Sequence, residues 1–99
     1  MARFDIYSIH GFRAPLMDVQ SDLLAHLPTR VVIPFHTKDE LSLFIPRLHL
    51  PMTIEGKSYY LATNMMAVVR KSSLKRRIGN VAHQSHEITA AIDFLLQGF

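Results

Sequence analysis

The stretch from Asp18 to Pro34 reads DVQSDLLAHLPTRVVIP, and whether it forms strand or helix decides the fold. Its first part follows the apolar pair Leu16 and Met17, so Leu16–Gln20 reads as a strand that continues into Ser21–Leu24. Its last part opens the run Arg30–Phe35, where Val31, Val32 and Ile33 carry branched Cβ atoms that favour extended backbone. Pro34 has no N–H to give to a ladder, so this second strand is expected to end there or to lie at an edge. Asp18 and Asp22 are four positions apart. On a strand that spacing makes no paired-carboxylate geometry, and the two read as a hydrogen-bonding acid and a turn former.

The flanks agree with a chain of short strands. Arg3–Ile9 places Phe4 and Ile6 on one face and Tyr7 and Ile9 on the other, the pattern of a strand packed on both sides. His10–Pro15 is a loop broken by Gly11 and Pro15. Thr37–Glu40 opens a polar loop into Leu41–Ile45, closed by Pro46. His49–Ile54 and Ser58–Thr63 flank Glu55-Gly56-Lys57, read as a three-residue hairpin turn with Gly56 at positive φ. Met65–Val69 adds one more short strand. From Ser85 the period changes. Ile88, Ala91, Ile92 and Leu95 fall on one helical stripe, with Thr89, Asp93 and Gln97 opposite. Ser85 is the expected N-cap, Glu87 suits the first turn, and Gly98 is placed to end the helix. The expected fold is mainly β with one C-terminal α-helix. A small barrel over about 1–82 and a helix over about 83–97 together make a single domain, 1–99.

Composition narrows the function. A chain of 99 residues has little room for a large cofactor cradle or a long cleft. With no cysteine, it has no disulfide, no thiol nucleophile and no cysteine-ligated zinc. No window approaches the ~20 apolar residues of a membrane helix, and the first residues lack a signal-like apolar run. A soluble, cytoplasmic protein without membrane contact is expected. The net charge of +3 is uneven. Arg70, Lys71, Lys75, Arg76 and Arg77 lie within eight residues that contain no acid. Without those five, six basic residues face eight acidic ones. The basic run is either a patch for an anionic partner or a solvated loop, and no aromatic residue interleaves it for base stacking.

Catalytic signals are sparse. Of the six histidines only His83 and His86 share a helical spacing, and two ligands do not make a structural zinc site. There is no GxSxG elbow, and the four glycines never cluster into a phosphate loop. No catalytic residue, metal or cofactor is expected, and the chain does not read as an enzyme. The tail is unusual. Phe94, Leu95, Leu96 and Phe99 crowd the last six positions, and at ~100° per residue Phe94 and Leu96 fall on opposite flanks of the apolar stripe. Such a tail is either a partner surface or a docked terminus.

The segment Asp18-Val19-Gln20-Ser21-Asp22-Leu23-Leu24, followed by Arg30-Val31-Val32-Ile33-Pro34, resembles the signature of the CcdB toxins. The ending Ala90–Phe99, the strand Phe4–Tyr7 and the hairpin around Gly56 are similar too, so the resemblance covers nearly the whole chain. It implies an SH3-like β barrel of the CcdB/MazF-like toxin class, assembled as a homodimer. It also implies the toxin of a type II toxin–antitoxin pair, one that binds the A subunit of DNA gyrase and traps the gyrase–cleaved DNA complex. An acidic, disordered antitoxin segment would neutralise it. Operator DNA would be bound only through the toxin–antitoxin complex.

Carried over by position, the gyrase contact comprises Leu23, Leu24, Asp93, Leu96, Gln97, Gly98 and Phe99. Gln97 stands where the best-known family member has tryptophan, and Ala67-Val68-Val69-Arg70 stands where the family often has proline. For the antitoxin, the expected surface is His10, Arg13, Arg70, Lys71, Lys75, Arg76 and Arg77. Two other readings remain: an endoribonuclease toxin of the MazF-like barrel class, and a non-toxic relic that only binds.

Overall fold

The computed structural model describes residues 1–98. Seven strands run in the order β1 (Asp5–Ser8), β2 (Leu16–Asp18), β3 (Thr29–His36), β4 (His49–Ile54), β5 (Lys57–Ala62), β6 (Ala67–Arg70) and β7 (Arg76–Asn80). They precede one helix, α1 (Ser85–Gln97). Every pairing is antiparallel, and the sheet runs β4-β5-β3-β2-β1-β7 with β6 added to β3. The expected class, mainly β with a C-terminal helix on a curled sheet, is what forms.

β3 makes the curl. One edge pairs with β2 through Val32–Pro34, while the other holds β6 along Thr29–Val32 and then β5 at Phe35 and His36. Successive residues turn their N–H groups to opposite edges. Phe35 donates its N–H to Pro15 on the β2 side, so Pro34 faces the other edge, where β6 has ended and β5 has just begun. Its missing donor falls in that gap. The strand therefore passes through Pro34 to His36 with partners on both edges, where the sequence reading expected it to end at Pro34 or to lie at an edge.

Both faces of this sheet are packed. Phe4, Ile6, Met17, Ile33, Phe35 and Ile88 belong to the main core, and Tyr7, Val32 and Leu74 to a second cluster that Ile9 also covers. The expected two-sided burial of β1 is realised.

Four local expectations are corrected. The hairpin closes at Ile54 opposite Lys57, leaving only Glu55 and Gly56, at φ 51° and 79°. That is a two-residue turn whose positive φ values match the twist of the flanking strands. Ser21–Leu24 does not continue β2, because Asp22–Leu24 is a 3-10 turn. Ser85 does not cap the helix, because a 3-10 turn over Ala82–Gln84 leads into it and Asn80 Oδ1 accepts the Ala82 N–H at 2.8 Å. Arg76–Asn80 is a strand paired to β1, although it lies at the end of the basic run.

The helix follows its stripe. Ile88 and Ala91 are buried, and Ile92 and Leu95 are half-buried. It rests on β4 and the Thr63–Met65 turn. Gly98 adopts the left-handed conformation at φ 82° and donates its N–H to the Phe94 carbonyl, which ends the helix as expected.

Candidate functional site: a braced dileucine turn, a helix end and a basic rim

The DVQSD segment builds a mount. Asp18 and Arg30 are both fully buried, with Arg30 Nε 2.9 Å and Nη2 2.6 Å from Asp18 Oδ2. Nη2 is close enough to pair as an ion but is not aligned as a hydrogen-bond donor, and Nη1 has no protein partner. The other carboxylate oxygen of Asp18 accepts the Gln20 N–H at 3.0 Å. Gln20 spans outward in turn: its Oε1 accepts the Val31 N–H, and its Nε2 donates to the Leu24 carbonyl. Ser21 Oγ accepts the Leu23 N–H, and Asp22 Oδ1 accepts the Arg3 N–H. Every polar side chain of the segment thus braces the turn. What the turn presents is apolar: Leu23 is 88% exposed and Leu24 is also exposed. Singly exposed aliphatics are ordinary, but two adjacent ones on a turn held at both ends mark a contact point.

The helix end is the second presenting point. Leu96 is 69% exposed, Gln97 and Gly98 are exposed, and Asp93 is half-buried. Phe94, on the opposite flank, is half-buried with the Arg47 guanidinium 3.9 Å above its ring centre. The expected split between Phe94 and Leu96 is what the packing produces. Phe99 lies outside the described residues. The dileucine turn is tied to Arg3, Gln20 and β3, whereas the helix sits on β4 and the Thr63–Met65 turn. The proposed gyrase residues are therefore carried on different elements.

The basic residues divide into four groups. His10, Lys75 and Arg76 line one groove together with Ser8, Ile9, Ser72 and Ser73. Arg70 and Lys71 line another beside Pro28 and Thr29, where Lys71 Nζ also donates to the Ala25 carbonyl at 3.0 Å. Arg13 stands apart, in a groove with Asp39, Glu40 and Lys57. Arg77 is engaged in structure, its Nε donating to Asp5 Oδ1 at 2.8 Å.

Asp5 collects donors. Burial alone would raise its pKa, but hydrogen bonds from Asn80, Arg77 and the Ala2 N–H outweigh that and hold the carboxyl below its ordinary value. Tyr7 is pushed up, chiefly by burial and further by the nearby Asp5 and Asp18 charges. Sequence reading also missed His49. It is buried, accepting the Ile45 N–H at Nδ1 and sitting 2.9 Å from Asn64 Oδ1 at Nε2, so it tethers the loop before β4. No residue spacing announces such a bond, because Asn64 reaches it only after the hairpin folds back.

Among the described residues, no group of three His, Cys, Asp or Glu side chains is placed to hold a metal. No helix of the described residues is long and apolar enough to cross a membrane.

The curled sheet and terminal helix define a class. An endoribonuclease in complex with its cognate antitoxin, from a mycobacterial species, has the same fold at a TM-score of 0.77 and 18% identity, covering 97% of this chain and 94% of that one. Mycobacterium tuberculosis toxin MazF-mt6 superposes at a TM-score of 0.74 and 16% identity, covering 94% and 95%. The architecture is that of the small toxin barrels. No curated protein sequence matches this one. The family model described as CcdB protein matches residues 3–98, and the chain belongs to the CcdB family, as a toxin of the toxin–antitoxin kind.

One expectation is overturned. The sequence reading excluded an enzyme because it found no catalytic motif, yet proteins named endoribonucleases share this fold. A site assembled on a barrel from residues distant in sequence leaves no linear signature, so a missing motif excludes nothing.

Proposed function

We propose that this toxin acts on DNA gyrase, binding the A subunit of that enzyme and trapping the gyrase–cleaved DNA complex. The binding surface is Leu23 and Leu24 on the braced turn, with Asp93, Leu96, Gln97, Gly98 and Phe99 at the chain end. The observation that carries this reading is the pairing of strong exposure with strong bracing at Leu23. Ser21 on the Leu23 N–H and the buried Gln20 on the Leu24 carbonyl fix the backbone beneath side chains that do nothing for the core, which is how binding anchors are preorganised. A homodimer would present each surface twice. An acidic antitoxin segment is proposed for the rim of His10, Arg13, Arg70, Lys71, Lys75, Arg76 and Arg77, with Lys75 and Arg76 at its centre; a neighbour of this fold solved with its cognate antitoxin supports such a partner. Operator DNA would be contacted only through that complex, in the cytoplasm.

The test is gyrase-dependent supercoiling and cleavage-complex formation with purified protein, beside a variant lacking Gly98-Phe99. Wild-type protein should accumulate cleaved DNA, and the deletion should not. Growth arrest that survives the deletion would overturn the reading.

A further inference from the structure

The turn before β4 fixes an arginine and leaves its donors free. The Ile45 carbonyl accepts the Leu48 and His49 N–H groups, both at 2.9 Å, and the Ile45 N–H donates to His49 Nδ1 at 2.8 Å. The Leu48 carbonyl accepts the Thr63 hydroxyl at 2.6 Å, and Leu48 itself is buried. The exposed Arg47 therefore stands on a backbone pinned from both sides. Its guanidinium lies 3.9 Å from the centre of the Phe94 ring, well inside the ~6 Å reach of a cation–π contact. Stacking uses the flat face of the group and leaves its N–H bonds pointing outward in the plane. Among the described residues, the arginines whose N–H groups find an acceptor are Arg3, Arg30 and Arg77. Those of Arg47 do not.

Phe94 decides where these donors lie. Gln97 follows it by three positions and so is its neighbour on the same flank of the helix. The Gly98 N–H donates to the Phe94 carbonyl. Arg47 thus borders the chain-end surface proposed for gyrase, although nothing in the linear sequence ties the 41–48 loop to that end. A planar fork with free donors matches the two oxygens of a carboxylate at once, which an ammonium cannot do. A phosphate offers similar oxygens. The Asp93 carboxylate next to Phe94 and the exposed Leu96 suit a protein surface and oppose a polyanionic DNA backbone.

We propose that Arg47 is a further gyrase contact, taking a carboxylate of the A subunit in a bidentate ion pair while Phe94 holds it in position. The inference rests on the gyrase reading and adds to it a residue outside the surface carried over by position.

Calorimetric binding of the A subunit alone, and again with DNA added, tests it. Arg47→Met keeps an unbranched apolar stem on the Phe94 ring and removes the fork. It should keep the wild-type melting temperature and lose about thirtyfold or more in affinity without DNA, as truncated partners of a desolvated charge pair do. Arg47→Lys should recover only part of that loss. Phe94→Leu removes the platform and should weaken binding less. Combined with Arg47→Met, it should weaken binding no further than Arg47→Met alone. Wild-type affinity in Arg47→Met, full recovery in Arg47→Lys, additive losses in the double variant, or a loss seen only with DNA present would overturn the inference. Each would leave the gyrase reading standing, because the wild-type protein still binds; no binding by the wild type would overturn both.

Discussion

Asp18 and Arg30 look like a recognition signature in the sequence, and the structure makes them a buried ion pair beneath the surface they help to present. Removing one partner strands the other charge in the core. Arg30→Ala is therefore expected to cost about 3–5 kcal/mol, measured by urea denaturation. Asp5 behaves differently with pH. Because its carboxyl is held below the ordinary value of 3.8, its stabilising effect is present above that value and is lost as pH falls through the lower folded-state pKa. Asp5→Asn should thus destabilise by about 1–3 kcal/mol at neutral pH, the cost of weakening a buried charged hydrogen-bond cluster. The difference from wild type should shrink below pH ~4; a difference independent of pH would mean that shape, not charge, matters at this site. Asp18 is the hydrogen-bonding acid expected of it, whereas Asp22, expected as a turn former, lies in the turn but gives its carboxylate to the Arg3 N–H and leaves the capping to Ser21. The partner Arg30 could not be read, because only the β2–β3 pairing brings residues 12 positions apart together.

The elements differ in how openly the sequence declares them. The helix was legible because Ile88, Ala91, Ile92 and Leu95 repeat at its period and Gly98 stops it. β7 was not, since arginines at 76 and 77 and a glycine at 79 leave no alternation, and pairing with β1 forms it instead. Pro34 misled for a related reason: its missing donor matters only if a strand lies opposite, and there β6 gives way to β5. The Ser21–Leu24 turn carries no strand-breaking residue to announce it; its bracing bonds come from Ser21, Gln20 and Arg3, the last of them from 19 positions away. The helix end and the braced turn each allow a direct check. Gly98→Ala forces a Cβ into a positive-φ position, so it should destabilise the helix end by about 1 kcal/mol in a thermal melt. Gln20→Ala removes two bonds from the braced turn and should weaken gyrase binding more than its loss of stability explains. If affinity is unchanged while stability falls, the bracing has no role in binding.

At the level of the assembled protein, the sequence already indicated the class, a small barrel with a helix, and the family. It did not disclose that the basic run is divided among grooves, or that Arg77 is committed to Asp5. Antitoxin association should accordingly depend on Lys75 and Arg76: Lys75→Gln/Arg76→Gln should slow it at low salt and converge on wild type as screening rises. An unchanged on-rate at low salt would remove the patch from the encounter. The exclusion of catalysis failed for a physical reason too, since a barrel surface can gather a site from several strands without a local motif. The most direct measurement is calorimetric binding of the gyrase A subunit to wild type, Leu23→Ala and Leu96→Ala. Leu23 and Leu96 are exposed, so both variants should keep the wild-type melting temperature. Each should lose about 2 kcal/mol of affinity, as truncated anchors do. Wild-type affinity in both variants, or no binding by the wild-type protein itself, would contradict the gyrase reading.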